Sequence, residues 1–354
     1  MTYRNKLSLL LAAMLAMSSM LTNAQATTGQ EVIDGLELTP QEWEQLRQGD
    51  AVTITGEDWE QTDRELAIDS VILVDKPLDV VLAETLGVVS LIPQRKILDT
   101  GELTGEGDFA SVEFDVANSD DVSEAKKLLK AKPSKSFNLS KGEIAEISQL
   151  AATLERNPSD AEYVDVANQV LRNLLAARYR AYLADGLNGL EPYARSNKKV
   201  VDAGSELRAT NEQMIPVKQF FPAYYDTLVN YPASADCCEH SFLWIKVEIT
   251  GRPIFALVHR VTLTDEDFAV VTERYFYSTH SLNSLQVTVV WLPFEGGTYM
   301  GLAASASADI LSGLKGKLLR AVGRDPALDM VDEVVIDVRD DLEADPIPAA
   351  PDPQ

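Results

Sequence analysis

The chain has 354 residues, and 55 acidic against 31 basic side chains give it a formal net charge of −24. This negative field repels nucleic acid and anionic lipid surfaces, so we expect neither as a partner. Hydrophobic residues make up 45% of the chain, which excludes disorder throughout, and the length suits one large domain or two ordinary ones.

Residues 1–26 have the pattern of a secretory signal peptide. Arg4 and Lys6 precede an apolar run from Leu7 to Leu21, and Ala24 to Ala26 supply a small-x-small cleavage site. An uncleaved anchor is the alternative, although the run is short for a bilayer. No cysteine lies directly after the run, which argues against a lipoprotein. We therefore expect the chain after residue 26 to be periplasmic or secreted, with no membrane span.

The first half of the chain predicts helices between short strands. Capping-box and proline signals predict a helix that begins after Thr39 and ends near Gly49. A strand is expected over Leu66 to Val74, a helix over Leu78 to Leu86 and a strand over Arg95 to Leu103. Further capping boxes predict helices over 140–156 and from Ser159 to about Ala184. Between 187 and 240 several prolines exclude a long element.

From Leu243 the hydrophobic pattern changes to a period of two. Leu243, Ile245, Val247 and Ile249 are predicted to share one side of a strand. Four more strands are expected over 254–261, 268–279, 285–292 and 298–305. Consecutive strands with short turns favour an antiparallel meander.

A closing amphipathic helix is predicted over 311–342, interrupted at Arg324 to Pro326. Its β-branched residues leave a strand over 333–338 as the competing interpretation. The Pro-rich, acidic tail 344–354 is predicted to be disordered.

The adjacent cysteines Cys237 and Cys238 are the first candidates for chemistry. An exported protein meets an oxidising environment, so a vicinal disulfide, free buried thiols and an intermolecular link are all open. A vicinal disulfide would stiffen this turn and suit a redox sensor. The alternative is a loop whose small residues only pack, since no C-x-x-C spacing tunes the thiols.

Metal and cofactor sites are not expected. Cys237, Cys238 and His240 lack the usual zinc spacings, and a site would need His259 or His280 from another strand. The stretches "EGGTYMG" and "GLKGKLLR" match neither a dinucleotide fingerprint nor a P-loop.

A hydrolase site centred on His280 is a second hypothesis. Ser278 and His280 are predicted to share one side of a strand, while Glu273 and Tyr277 share the other. A nucleophile needs a base at hydrogen-bond distance, and the chain has no G-x-S-x-G elbow. A polar turn residue beside a barrel mouth explains His280 equally well.

Several stretches resemble an uncharacterised family of exported bacterial proteins, a resemblance that brings no catalytic residues. They are "KPSKSFNLSKGEI", "YLADGLNGLEPYARS", "PAYYDTLVNYP", "EHSFLWIKVEITGRPIFALVHR" and "TERYFYSTHSLNS". The stretch "AIDSVILVDKPLDVVLAETLGVVSLIPQRKIL" also resembles the opening of helix-grip, or START-like, domains. That resemblance implies an α+β fold, in which a curved antiparallel sheet surrounds a C-terminal helix and encloses an apolar cavity. Residues 27–343 would then form one domain with a helical insertion at about 104–241.

These patterns together favour a protein that binds a small apolar or lipid-like ligand between sheet and helix. The candidate lining residues are Phe255, Leu257, Phe276, Trp291 and Met300. The alternative for these side chains is a solid core, which is their commoner location. The competing functions are a hydrolase-type enzyme and an envelope interaction or structural protein.

Overall fold

The computed structural model describes residues 32–33, 38–55, 60, 62–87, 90–91, 97–249, 251–313, 331–332 and 335–344. The predicted signal peptide, most of the predicted tail and much of the predicted closing helix lie outside these residues. Within the described part, no helix has the length and apolar character needed to cross a bilayer.

The structure is α+β and contains an eight-stranded antiparallel sheet in the order β1-β2-β10-β9-β8-β7-β6-β3. Its strands are β1 (Val52–Thr55), β2 (Glu65–Val74), β3 (Ile97–Leu103), β6 (Glu239–Ile249), β7 (Arg252–Thr264), β8 (Ala269–Ser278), β9 (Ser284–Phe294) and β10 (Gly297–Ser307). Two short strands, β4 (Tyr193–Ala194) and β5 (Val200–Val201), form a separate pair. The predicted meander is confirmed as β6 to β10, and the early strands β2 and β3 join it at opposite sides.

The helices of the described residues flank this sheet. They are α1 (Pro40–Arg47), α2 (Leu78–Thr85), α3 (Ser119–Leu128), α4 (Lys141–Ala151), α5 (Asp160–Asp185), α6 (Ala203–Gln213), α7 (Ile215–Phe220) and α8 (Pro222–Asn230). Residues 335–343 are also helical, so the competing strand over 333–338 is wrong where the structure describes it.

Local hydrogen bonding explains where three of these helices begin. In each, the hydroxyl of the capping residue accepts from a backbone N–H in the first turn, and a glutamate accepts from the backbone N–H of the cap. Both bonds satisfy groups that a helix start leaves unpaired. The predicted capping boxes are thereby confirmed for α1 (Thr39 and Glu42), α4 (Ser140 and Glu143) and α5 (Ser159 and Glu162).

Helices α3, α6, α7 and α8 were not predicted from the sequence. Pro216 and Pro222 lie at the first turns of α7 and α8, where their missing N–H groups cost nothing. The prolines therefore begin short helices in a segment that was predicted to contain no long element. Asn118 caps α3 through bonds from the backbone N–H groups of Asp120 and Asp121.

A β-bulge changes which side chains of β8 share a face. Leu257 is opposite Tyr277 and Val258 is opposite Tyr275, so Phe276 is the extra residue. An extra residue shifts the alternation by one position. Phe276 and Tyr277 consequently join the same core cluster, whereas Tyr275 belongs to another, so the face predicted to be shared by Glu273 and Tyr277 ends at the bulge.

The two faces of the sheet bury different cores. We call the face that carries Phe242, Phe255 and Leu257 the first face, because it packs against α3, α4 and α5. The second face carries Ile245, Val258 and Trp291. The helical residues Val335 and Leu342 pack against this second face beside Trp291. Apolar burial on both faces is the main stabilising term for a sheet of this kind.

A close approach between β3 and β6 yields a stability prediction. Gly101 lies opposite Trp244, and a Cβ on Gly101 would overlap the buried indole ring. We expect Gly101→Ala to lower the free energy of unfolding by about 1–3 kcal/mol, because the buried ring has little room to move. Urea denaturation measures this change. At Gly87 an added Cβ meets nothing, so Gly87→Ala is the control, and equal effects of both variants would contradict the prediction.

Candidate functional site

A small apolar hollow lies on the second face, near the hairpin between β6 and β7. Its volume is about 40 Å³. Its lining comes from β6 (Ile245, Val247, Ile249), β7 (Ile254, Ala256), β8 (Tyr275, Ser278), β9 (Ser284, Leu285) and Leu282. Ile245 and Ile254 are buried at its base, whereas the outer residues Val247, Ile249, Leu282 and Leu285 are partly exposed.

Polar groups in the lining form hydrogen bonds within the protein. The Ser278 hydroxyl bonds to the carbonyl oxygens of His280 at 2.8 Å and Leu282 at 2.9 Å. The Tyr275 hydroxyl donates to the Glu273 carboxylate at 3.0 Å. Because these polar atoms are already satisfied, the lining presents carbon to the hollow, which suits an aliphatic group.

The predicted ligand-lining residues do not come together around this hollow. Phe255, Leu257 and Phe276 lie on the first face and are at most 1% exposed. Trp291 and Met300 lie on the second face, packed in the cluster that contains Val335 and Leu342. Strand alternation and the bulge divide the set between two cores. Sequence reasoning did group the Leu243 to Ile249 aliphatics on one side, and three of those four residues line the hollow.

The predicted pair Ser278 and His280 does not form a nucleophile and base. The His280 Nε2 donates to the Pro253 carbonyl at 3.0 Å, and the Glu124 carboxylate lies 3.3 Å from the same nitrogen. Burial, followed by the nearby Arg252 cation, lowers the pKa of His280 to about 4. His280 is therefore a neutral group that joins the chain after β8 to the start of β7.

The other two predicted catalytic residues lie in separate surroundings. Glu273 accepts from the Ser90 hydroxyl at 2.8 Å and from the Leu91 backbone N–H at 2.9 Å, which holds residues 90–91 on the second face. Burial raises the pKa of Glu273. Tyr277 packs on the first face with its ring 5.1 Å from the Arg178 guanidinium. The four predicted residues consequently do not share one site.

A chain of buried polar side chains on the first face was not predicted from the sequence. The Arg274 Nη1 donates to Tyr182 Oη at 3.2 Å, and Tyr182 Oη lies 2.8 Å from His259 Nδ1. His259 Nε2 lies 2.8 Å from His240 Nδ1, and His240 Nε2 bonds to the Ala235 carbonyl at 3.0 Å. The three ring-bearing residues come from α5, β6 and β7, so no local spacing in the sequence signals their contact.

The two cysteines form a disulfide with each other, close to this chain of polar groups. The Thr227 hydroxyl of α8 donates to Cys237 Sγ at 3.1 Å. His259 of β7 contacts His240 of the neighbouring strand β6, and a zinc site would require a contact of this kind. Among the described residues, however, no group of three or more His, Cys, Asp or Glu side chains could hold a metal ion.

Comparisons with known proteins give no evidence for a function of this chain. No family model and no curated protein matches the chain. TTHA0849 from Thermus thermophilus is 12% identical over 37% of this chain and 88% of that chain, with a TM-score of 0.23. The di-domain ARO/CYC StfQ from the steffimycin biosynthetic pathway is 10% identical over 89% of this chain and 96% of that chain, with a TM-score of 0.20. Similarity at this level carries no argument about fold or function.

Proposed function

We propose that this protein binds a small apolar or lipid-like molecule by inserting the end of an aliphatic chain into the hollow on the second face. The observation that carries the proposal is the combination of a carbon-lined hollow with an aliphatic rim that is partly exposed. Sugars, nucleotides and peptides need free hydrogen-bonding groups for recognition, and the lining groups described above are already bonded.

The size of the hollow defines which part of the ligand it holds. At about 40 Å³ it is far smaller than the several hundred Å³ of a typical small-molecule pocket. It exceeds the share of one water molecule in the liquid, roughly 30 Å³, only slightly. The hollow therefore holds a chain end, and the rest of the molecule lies over Val247, Ile249, Leu282 and Leu285.

The START-like arrangement and export belong to the same proposal. The helical residues 335–343 pack on the face that contains the hollow, as a helix-grip fold requires. Helices α3 to α8 would form the insertion at about 104–241. If the protein is exported and binds an aliphatic chain end, its ligands would be amphiphiles of the cell envelope.

Binding is tested with dodecanol as the probe and the rim residue Leu285 as the target. We expect Leu285→Asp to weaken dodecanol binding at least about tenfold, because it removes apolar contact and places a charge beside the chain. Methyl chemical-shift titration reports both the affinity and the location. Leu98→Asp is the matched control, since Leu98 is 57% exposed and does not line the hollow.

The pattern of affected methyl groups decides the outcome. Shifts concentrated at Ile245, Val247 and Ile254, lost in Leu285→Asp and kept in Leu98→Asp, support the proposal. No saturable shifts, or equal weakening by both variants, would contradict it. Circular dichroism checks that both variants fold.

A further inference from the structure

The segment between α8 and β6 is a short loop closed by a hydrogen bond from a histidine. His240 Nε2 donates to the Ala235 carbonyl at 3.0 Å, and the disulfided cysteines lie between these two residues in the sequence. Tyr231 packs against His240 of β6 and His259 of β7, with ring centroids 5.3 Å and 4.5 Å away respectively. The conformation of the cysteine pair and the position of the His240 ring therefore belong to one closed unit.

The hydrogen bonds of the buried chain have a defined direction. A carbonyl can only accept, so His240 carries its proton on Nε2 and its Nδ1 accepts from His259 Nε2. His259 Nδ1 then accepts from the Tyr182 hydroxyl, whose oxygen accepts from Arg274. Burial is the main cause that lowers the pKa of both histidines, which keeps them neutral and fits this arrangement.

Solvent can reach the disulfide and the partly exposed His240, whereas the other side chains of the polar chain are buried inside the protein. Cys237 and Cys238 are partly exposed, and their neighbours Asp236 and Glu239 are both exposed. Tyr182, His259 and Arg274 are at most 1% exposed. A reagent that reacts with the sulfur atoms would therefore act at the solvent-accessible side of this hydrogen-bonded network. The buried side chains of the network are shielded from water.

We propose that Cys237–Cys238 is a redox-active disulfide whose substrate is a dithiol, and that its reduction releases His240 from Ala235 and rearranges the buried Tyr182–His259–His240 chain. A thiolate of the dithiol attacks one sulfur to form a mixed disulfide, and the other cysteine leaves as a thiolate and takes up a proton. The second thiol of the reagent then attacks the mixed disulfide. The reagent becomes a disulfide, and both cysteines become thiols after the exchange of two electrons and two protons.

Reduction changes the loop because the disulfide constrains it covalently. The bond between adjacent cysteines closes a small ring that contains the peptide bond joining them, so it restricts the torsions of both residues. Opening this ring frees the backbone between Ala235 and His240. It also turns the sulfur that accepts from Thr227 into a thiol that can donate. The Ala235 carbonyl then loses its fixed position relative to the His240 ring.

Histidine NMR tests the proposal on the full chain, which contains only three histidines. Side-chain signals are assigned with single His→Gln variants, and the protein is equilibrated in mixtures of reduced and oxidised dithiothreitol. We expect two cysteines to become alkylatable in the folded protein. The ring signals of His240 and His259 should move with the same midpoint as thiol formation, while the His280 signals stay unchanged.

The double variant Cys237→Ser and Cys238→Ser provides a second measurement, because it removes the disulfide without reductant. It should place the His240 and His259 signals near their reduced positions and make them insensitive to dithiothreitol. Thiols that appear only after denaturation would overturn the proposal. So would reduction without movement of the two signals, or movement of the His280 signals together with loss of the folded spectrum.

Discussion

Replacing Arg274 with methionine is expected to lower the free energy of unfolding by roughly 3 kcal/mol, as measured by urea denaturation. The buried guanidinium donates to Gln286 Oε1 at 2.9 Å, the Leu228 carbonyl at 2.8 Å, Asn211 Oδ1 at 3.2 Å and Tyr182 Oη at 3.2 Å. Methionine fills similar space but donates nothing, so several acceptors lose a partner inside the protein. Each buried group left unsatisfied costs about 1–3 kcal/mol, and relief of the buried charge offsets part of the sum.

An exposed arginine provides the matched control. Arg47 pairs with Glu295 at 3.0 Å, and both side chains are about half exposed. Solvent and salt screen such a pair, so Arg47→Met should leave the denaturation midpoint unchanged within error. If Arg274→Met were equally silent, the buried hydrogen bonds would not stabilise the fold. If Arg47→Met were the more destabilising variant, the assignment of the two environments would be wrong.

Replacing Asp69 with asparagine is expected to stabilise the protein at alkaline pH and to change nothing in acid. Asp69 lies on β2 opposite Ala303 of β10 and is half-buried, and its carboxylate has no hydrogen bond or ion pair in the described part of the chain. Burial raises the pKa of this carboxyl to about 7. No local pattern in the sequence marks the residue as unusual.

The sign of the effect follows from the proton balance. Between about pH 4 and pH 7 the folded state keeps a proton on Asp69 that the unfolded state has lost, so stability falls as pH rises through this range. Above about pH 7 both states are ionised and the loss is complete. From the shift in the pKa of Asp69, linkage gives a loss of folding stability of up to about 4 kcal/mol. Because the carboxyl is partly exposed, screening by solvent makes this loss smaller.

Urea denaturation across pH measures this effect. Asp69→Asn should be more stable than the parent by about 1–4 kcal/mol near pH 8 and equally stable near pH 4. The exposed Asp267→Asn is the control and should follow the parent at every pH. A constant difference between Asp69→Asn and the parent across the whole range would show that the carboxyl does not titrate in this way.

Much of the secondary structure could be predicted because its causes are local. The start of α5 depends on Ser159 and Glu162, which bond to backbone groups within one turn. The strands β6 to β10 follow from alternation and turns in the sequence. Helix α3 was missed because its buried face includes Asp121 and Glu124, whose burial depends on the distant cations Lys246 and Arg252.

The candidate sites were less predictable, because each depends on contacts between distant strands. The alternation from Leu243 to Ile249 indicated one aliphatic side, but the hollow exists only where this side meets Tyr275 and Leu285. The hydrolase hypothesis placed Ser278 beside His280, whereas the hydroxyl bonds to backbone carbonyls instead. A hydrogen-bond partner of this kind cannot be identified from residue spacing.

The sequence by itself determined the antiparallel α+β character, the capped helix starts and the order of the strands in the meander. These features depend on the preferences of neighbouring residues and on alternation within a single strand. Only the tertiary structure decided that Phe255 and Trp291 lie on opposite faces, that the bulge at Phe276 shifts the alternation, and that His259 meets His240. These arrangements depend on register and packing between segments far apart in the chain, where a shift of one residue exchanges the two faces of a strand.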